Sequence, residues 1–311
     1  MPATPMDILT LFPVRKSKKQ KQAFLDAVQS YAKSLGYECT VEAGSCGSRN
    51  LVIGDPENAK FLVTAHYDTC ARMILPNLIT PCNLWTFLAY QVLVVGLLMI
   101  GAVLIGILAG LVALDPEIGS AAAVIAYWVL LIGMMIGPAN RSNVNDNTSG
   151  VVTLLEIART MPENQRGKVC FVLFDLEEAG LIGSSSYRKT HKKATDRQIV
   201  LNMDCVGDGD HILLIPTKKL RKDRKKLTSL YKACGYFGKK SVLVRDKGIA
   251  IYPSDQVNFP YGVGIAAFRR NKQGILYYSR IHTPKDTVLE ETNANILRAA
   301  LTTFICCDEV N

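Results

Sequence analysis

The sequence predicts an α/β fold in which helices flank a mixed, mostly parallel β-sheet and an apolar two-helix hairpin is inserted into the chain. Short apolar runs typical of strands alternate with segments of helical periodicity, as in layered α/β proteins. No charged residue lies between Met73 and Leu114, and a second uncharged run covers Ile118–Asn140. A chain of 311 residues is long enough to bury a substantial core around such a sheet.

Before the hairpin, the sequence predicts one helix and three strands. Residues 16–35 place apolar side chains at helical spacing, with lysines on the opposite face, and Gly36 ends this helix. The runs 40–43, 50–54 and 59–69 have the apolar character of strands, and the third ends in polar residues.

After the hairpin, strands and helices alternate towards the end of the sequence. Residues 151–161 and 218–234 are predicted helices, the second strongly basic, and a closing helix begins near Thr292. The remaining apolar runs are predicted strands: 168–178, 199–207, 211–217, 241–246, 262–270 and 274–279.

Each uncharged run of the hairpin is long enough to cross a bilayer, because about 20 apolar residues span the hydrocarbon core as a helix. Only Asp115-Pro116-Glu117 separates the two runs, so they form a tight hairpin. Two buried helices of a soluble core are the alternative, but such helices rarely run this far without a charge on any face. We therefore divide the chain into residues 1–80, a transmembrane hairpin at 81–139, and residues 140–311.

Basic residues give the expected orientation of the hairpin. Its tip carries two acids and no Lys or Arg, whereas all 36 basic residues lie before Met73 or after Asn140. Basic residues stay on the cytoplasmic side, so we expect an integral membrane protein with a cytosolic catalytic domain and with residues 84–137 in contact with lipid. The small-residue pairs Gly106/Gly110 and Gly133/Gly137 would let the two helices approach closely.

The charge balance favours an anionic partner, since 36 Lys and Arg stand against 27 Asp and Glu, a formal charge of +9. No nucleic-acid-binding motif is present, so an anionic membrane face is expected rather than nucleic acid. Nine scattered cysteines without a CxxC pair indicate free thiols in a reducing compartment. Residues 1–19 contain no apolar stretch of the length of a signal peptide. The oligomeric state stays open.

Acidic and imidazole side chains lie where predicted strands end. His66 and Asp68, Glu177 and Glu178, and Asp204 all follow apolar runs. The carboxyl ends of strands are where ligands collect in open α/β sheets. For any single carboxylate, a helix N-cap or a solvated turn is an equally good explanation.

Two further residues complete this set. Asp146 lies in the polar turn before the helix at 151–161, and His282 lies in the loop after the last predicted strand. Two imidazoles and several carboxylates are enough for two zinc ions that share one carboxylate, with one Glu left as a base. His191, in a basic run, is expected on a solvated face, and His211 is expected to be structural.

These residues resemble the M28 family of zinc aminopeptidases. The matching stretches occur in family order: AHYDT (65–69), NDNTSGV (145–151), FDLEEAGLIGSSSY (174–187), LNMDCVG (201–207), YPSDQVNF (252–259) with GVGIAAF (262–268), and IHTPKDT (281–287). The resemblance implies a zinc-exopeptidase fold, two zinc ions, and hydrolysis of N-terminal residues from peptide substrates.

The resemblance also implies the metal ligands. His66 and Asp204 would hold one zinc, Glu178 and His282 would hold the other, and Asp146 would bridge the two. This assignment uses both histidines of the strand-end set and leaves one of the paired glutamates without a metal.

The catalytic residues implied by the resemblance are Glu177 and Asp68. Glu177 would be the general base, which takes a proton from the attacking water and hands it to the leaving amine. Asp68 would lie behind His66 and orient its ring. Ser254 and Asp255 match a family motif near the site, and their role stays open.

One feature departs from the family pattern, in which a short loop separates the first metal histidine from the bridging aspartate. Here 80 positions separate His66 from Asp146, and the hairpin fills the gap, so both of its feet would lie beside the zinc site. The leading hypothesis is a membrane-anchored dinuclear zinc aminopeptidase at the cytosolic membrane face. The alternatives are an amidohydrolase of N-acyl amino acids or lipidic amides, a glutaminyl cyclase, and a non-catalytic membrane scaffold on a peptidase fold.

Overall fold

One mixed sheet forms the centre of the protein. The computed structural model describes residues 4–73 and 75–307. The strands in these residues are β1 (Cys39–Ala43), β2 (Arg49–Ile53), β3 (Phe61–His66), β4 (Val169–Phe174), β5 (Ile199–Met203), β6 (His211–Pro216), β7 (Gly235–Phe237), β8 (Lys240–Val244), β9 (Gly262–Arg270) and β10 (Leu276–Tyr277).

Parallel pairing is concentrated at the centre of this sheet. The strand order is β1-β2-β4-β3-β5-β9-β6-β8-β7, with β10 against β9, and β4, β3, β5 and β9 run parallel to one another. His66, the last residue of β3, lies opposite Phe174, the last residue of β4. The carboxyl ends of β4, β3 and β5 therefore meet at one edge. The predicted α/β fold with a mixed, mostly parallel sheet is confirmed.

Helices cover both faces of the sheet. In the described residues they are α1 (Ile8–Leu11), α2 (Lys18–Ser34), α3 (Leu84–Ala113), α4 (Pro116–Ile136), α5 (Gly150–Thr160), α6 (Ile182–Thr190), α7 (Lys192–Thr195), α8 (Lys218–Lys222), α9 (Arg224–Leu230) and α10 (Glu291–Cys306). Phe24 of α2, Leu154 of α5 and Phe304 of α10 join the main core on one face, and Tyr187 of α6 joins a smaller core on the other. Strands buried on both faces have nearly continuous apolar sequences, as β3, β4 and β5 do.

The basic segment 218–234 is not the single helix that was predicted. It forms α8, α9 and a short 3₁₀ turn, because Asp223 has an extended backbone between the two helices. The Asp223 carboxylate accepts the N–H of Lys226 and so caps the start of α9. The three-residue strand β7, which pairs antiparallel with β8, was not predicted.

The prediction for His191 is wrong, because this residue is only 8% exposed. Its Nδ1 lies 2.6 Å from Glu57 Oε1, and its Nε2 lies 2.9 Å from Glu42 Oε2. Burial alone would lower the pKa of His191, but the two carboxylates raise it above its ordinary value. The imidazole therefore links β1 to the loop that precedes β3. His211 opens β6, with Nδ1 3.2 Å from Ser241 Oγ.

The expected hairpin is present as two long helices, α3 with 30 residues and α4 with 21. Both are long and apolar enough to cross a membrane, and the rest of the protein buries only 17% and 11% of their apolar windows. Asn83 caps α3 by accepting the N–H of Thr86, and Asp115 caps α4 by accepting the N–H of Glu117. The side chain of Asp115 thus stabilises the tight turn by capping the second helix.

The two hairpin helices approach most closely near this tip. A Cβ at Gly106 would meet Ala123 Cβ at 2.6 Å, and one at Gly110 would meet Gly119 Cα at 3.2 Å. The predicted partner pair in α4 is wrong, since a Cβ at Gly133 would have no atom within 4 Å. Close packing therefore uses the small residues at the start of α4, and the helices separate towards its end.

The two feet of the hairpin are joined to each other, and the first is also joined to the loop after β10. A β-bridge joins Ala71 to Ala139, and the N–H of Asn140 donates to the Cys70 carbonyl at 3.0 Å. A second bridge joins Ile79 to Tyr278. The chain therefore leaves the sheet after β3 and returns to nearly the same place.

Candidate metal centre

Three neighbouring strands bring acidic and imidazole side chains to one edge of the sheet. His66 is the last residue of β3, and Asp204 follows the last residue of β5. Glu177 and Glu178 lie in the turn between β4 and α6. Because these strands are parallel neighbours, all four side chains gather at the same carboxyl edge.

The other two candidate ligands come from loops that hold each other. Asp146 lies in the turn before α5, and its N–H donates to Asp286 Oδ2 at 3.0 Å. The N–H of Asn145 donates to the other oxygen of Asp286 at 2.7 Å. Asp286 follows His282 by four residues, so the loop that carries His282 also fixes the turn that carries Asp146.

Asp146 lies between the two histidines. Its Oδ1 is 3.3 Å from His66 Nε2, and its Oδ2 is 3.1 Å from His282 Nε2. Asp204 Oδ1 lies 3.6 Å from His66 Nε2, and Glu178 Oε2 lies 3.4 Å from His282 Nε2. The five side chains thus form two adjacent groups that share one carboxylate.

Several buried polar atoms in these groups lack a hydrogen-bond partner in the described part of the chain. They include both ring nitrogens of His66, Oδ1 of Asp204 and Oε1 of Glu178. Buried polar atoms are nearly always paired. Imidazole nitrogens and carboxylate oxygens are ligands of zinc and related divalent cations. The donor set therefore fits bound cations.

The spacing of the donor atoms fits cations as well. In each of two groups the ligand atoms all lie within 4.8 Å of one another. The first group is Cys70, Asp146, Glu178 and His282, and the second is His66, Glu177 and Asp204. The second group includes Glu177, which therefore lies beside two of the predicted ligands, His66 and Asp204.

Asp68 lies behind His66, on the side away from Asp146. Its Oδ1 is 3.5 Å from His66 Nδ1, and its carboxylate accepts the N–H groups of Glu177 and Glu178 at 3.1 and 3.3 Å. Burial would raise the pKa of Asp68, but the interaction with His66 lowers it below its ordinary value. Asp68 therefore orients the ring and fixes the turn with the paired glutamates.

Burial and the neighbouring charged groups shift the pKa values of the carboxyl groups in this cluster. Burial and the neighbouring Glu178 raise the pKa of Glu177 well above its ordinary value, although His66 opposes the rise. Burial and Asp146 likewise raise the pKa of Glu178. Burial would also raise the pKa of Asp146, but hydrogen bonds from His282 and His66 hold it below the ordinary value. Positive charge at this edge would stabilise all three ionised groups.

Left-handed backbone conformations accompany the site. Leu176, directly before the paired glutamates, has φ 54°, Cys205, directly after Asp204, has φ 57°, and His282 itself has φ 60°. Residues other than Gly pay steric energy in this region, and such residues concentrate at functional sites. Strained backbone thus positions three of the segments that form the cluster.

Arg15 holds the two sides of the hairpin insertion together. Its guanidinium is completely buried and donates to the Tyr67 carbonyl at 2.6 Å and to Thr148 Oγ1 at 3.0 Å. Burial lowers the pKa of Arg15 to about 10, while Asp68 and Asp146 oppose that change. One side chain therefore fixes the end of β3 against the turn that carries Asp146.

Sequence reasoning missed Cys70, Asp286 and Arg15 as members of this site. Cys70 and Asp286 lie next to or inside matching stretches, but their positions depend on loops that meet only in the folded chain. The side chain of Asp255 is fully buried, neither of its oxygens accepts a hydrogen bond from the residues that the structure describes, and burial raises its pKa to about 7.

Comparison with known families identifies the larger part of the chain. Residues 133–304 match the family model described as Peptidase family M28. The match includes both glutamates, Asp146, Asp204 and His282, and it begins after His66 and Asp68. No curated protein matches the chain.

Several solved structures share this architecture. The LapA aminopeptidase of Legionella pneumophila superposes with a TM-score of 0.58 at 14% identity, covering 99% of this chain and 72% of that one. A glutaminyl cyclase of Macrostomum lignano gives 0.56 at 12% identity, covering 98% and 89%. BSAP, a zinc aminopeptidase from Bacillus subtilis, gives 0.46 at 18% identity, covering 83% and 49%. At these identities the first two similarities concern the fold.

Proposed function

The chain belongs to peptidase family M28, and we propose that it is a membrane-anchored dinuclear zinc aminopeptidase with a cytosolic catalytic domain. The position of Asp146 carries the proposal, since its two oxygens lie 3.3 and 3.1 Å from His66 Nε2 and His282 Nε2. A carboxylate in this position can hold one cation on each side, as in two-metal hydrolytic sites.

The ligand assignment follows the two groups of side chains. His66 and Asp204 would hold one zinc, Glu178 and His282 would hold the other, and Asp146 would bridge them. Two zinc ions, when bound, supply Lewis-acid polarisation of the substrate carbonyl and lower the pKa of the hydrolytic water.

Glu177 is the proposed general base. Its Oε2 lies 4.0 Å from His66 Nε2, and its side chain is largely buried beside the ligands of one cation. The carboxylate accepts a proton from the attacking water and delivers it to the leaving amine. Asp68 supports this task because it holds the Glu177 N–H and the His66 ring at the same time.

The hairpin supports the membrane location. Leu111, Val112 and Leu114 are 68%, 79% and 91% exposed, and the exposed apolar surface continues along both helices. Proteins that are monomeric in water rarely expose apolar patches of this size. Helices of a soluble core would be mostly buried, whereas these are not. The acidic tip and the basic catalytic domain support a cytosolic location of that domain.

A substrate panel on the purified full-length protein in detergent tests the activity. We expect bound zinc and chelator-sensitive hydrolysis of aminoacyl-p-nitroanilides. Hydrolysis of N-acyl amino acids alone would mean that the protein is an amidohydrolase and not an aminopeptidase. Zinc binding without turnover of either class would favour the scaffold.

Substitution of the base tests the mechanism. Glu177→Gln should keep its zinc and lose about 10²–10⁴-fold in kcat, because the amide cannot accept the proton. Glu163→Gln is the matched control, since that side chain is 89% exposed and remote from the cluster. Full activity of Glu177→Gln would show that another group is the base.

A further inference from the structure

We propose that the hairpin and the catalytic domain together form a binding site for one anionic phospholipid. The inference depends on the membrane part of the proposed function and not on the peptidase activity. The site consists of two neighbouring cavities at the foot of the hairpin, one apolar and one cationic, which share Arg72 and Met73 in their walls.

The apolar cavity has a volume of about 450 Å³ and lies where α3 and α4 separate. Leu97, Leu98, Val129, Leu130 and Met134 line it, together with Gly133. The lining residues of α4 lie within its last eight residues, which places this cavity near the end of α4, next to the catalytic domain. With α4 across the bilayer, this level is the membrane–water interface on the cytosolic side. An acyl chain entering from the lipid matches the apolar walls.

The second cavity has a volume of about 920 Å³ and carries positive charge. Arg72, Arg280 and Lys285 line it, and none of the described residues in the walls of either cavity is acidic. Arg72 and Lys285 are exposed and have no carboxylate within ion-pair distance among the described residues. Arg280 lies 3.6 Å from Asp208, which also pairs with Arg269.

An anionic phospholipid has both features that the cavities require. A soluble anion would leave the apolar cavity without a partner, and an uncharged lipid would leave Arg72 and Lys285 without an anionic partner among the described residues. Basic residues at the cytosolic interface attract anionic headgroups. The order of the cavities, apolar towards the helices and cationic towards the domain, matches the order of chain and headgroup in the bilayer.

The site also touches the candidate metal centre. Met73 lines both cavities, and its Sδ lies 3.1 Å from Nδ1 of His282. The Met73 N–H donates to the His282 carbonyl at 2.8 Å. A bound lipid would therefore pack against the residue that supports this candidate ligand from behind.

Native mass spectrometry of the full-length protein in detergent tests the site, with added phosphatidylglycerol or phosphatidylcholine as probes. We expect one tightly held phosphatidylglycerol per chain and at least fivefold weaker binding of phosphatidylcholine. Gly133→Leu should abolish this binding, because the new side chain enters the open apolar cavity. Gly96→Leu is the matched control, since a Cβ there also meets no atom within 4 Å but lies outside the cavity walls.

The headgroup is tested by charge removal. Arg72→Gln should weaken phosphatidylglycerol binding about fivefold, the value of one basic residue near an anionic headgroup, and leave phosphatidylcholine unchanged. Arg270→Gln removes one exposed charge elsewhere and should change neither. Equal binding of both lipids, or retained binding in Gly133→Leu, would overturn the proposal. Zinc content and peptide hydrolysis of the same samples report on the proposed function separately.

Discussion

The central sheet and the hairpin are equally apolar but cover their apolar side chains in opposite ways. Every residue of β3, β4 and β5 is buried, because helices lie on both faces of the sheet. In the hairpin the two helices pack most closely along a stripe of small residues near the tip, and Val112 remains 79% exposed. Apolar sequence alone therefore does not specify burial within the protein. The second partner of the hairpin is, in our proposal, lipid.

Removal of the hairpin is the strongest test of this comparison. We expect a chain with residues 84–137 replaced by a short Gly/Ser linker to move from the membrane pellet to the soluble fraction. The bridge between Ala71 and Ala139 keeps the two ends together, so zinc binding should be retained. Cell fractionation and metal analysis measure both outcomes. Continued pelleting of the shortened chain with membranes would mean that another part of the protein anchors it.

Arg15 offers the largest expected effect of a single substitution in the sheet region. Arg15→Met should lower the free energy of unfolding by about 3 kcal/mol, because buried acceptors at Tyr67, Phe12 and Thr148 lose their donors. Denaturant unfolding of the hairpin-deleted chain is the measurement. Arg270→Met, at an exposed position, should change stability by no more than about 0.5 kcal/mol. Equal stability of the two variants would contradict the role of Arg15.

A second substitution tests the close packing of α3 against α4 near the tip of the hairpin. Gly106→Leu should destabilise the helix pair by about 1–3 kcal/mol, because its Cβ would lie 2.6 Å from that of Ala123. Gly96→Leu places the same side chain in open space on the same helix and should be neutral. Thermal unfolding in detergent compares the two. Equal melting temperatures would mean that the helices do not pack along this stripe.

The smallest expected effect is the pH-dependent contribution of His191. Its pKa is raised on folding, so its stabilisation is fully present below about pH 6.5 and is lost as pH rises through the folded-state pKa. His191→Gln should therefore cost about 1 kcal/mol at pH 6 and less at pH 9. His211→Gln should show the opposite trend, because burial lowers the pKa of His211. Unfolding curves at the two pH values measure the difference.

Most strands and both hairpin helices could be predicted because their patterns are local. A strand buried on both faces, such as β4, is a continuous apolar run whatever lies beside it. The contact face of α4 could not be predicted, because the sequence gives no reason to prefer Gly119 over Gly133 as a contact residue. Only the packing against α3 shows that Gly119 makes the contact. The break at Asp223 was missed because a basic helical pattern outweighed one capping residue.

The candidate site also has features that local sequence patterns predict and features that they do not. Positions at strand ends, such as His66 and Asp204, follow from the strand pattern, because parallel strands bring their carboxyl ends together. The support of Asp146 by Asp286 and Arg15 could not be predicted, since those contacts join segments more than 100 residues apart. Local sequence patterns therefore indicate which side chains lie together at the site, whereas the packing of the loops determines which contacts fix their positions.

The unequal length of the hairpin helices affects how the proposed membrane anchor meets the catalytic domain. With α4 spanning the hydrocarbon, the extra residues of α3, 30 against 21, extend roughly 14 Å beyond it towards the catalytic domain. The first residues of α3 then lie beside the domain rather than in the hydrocarbon, whereas α4 ends three residues before Ala139, which is bridged to Ala71 of the domain. Removing whole turns from the start of α3 would then shorten one of the two connections between hairpin and domain and tilt the domain relative to the bilayer.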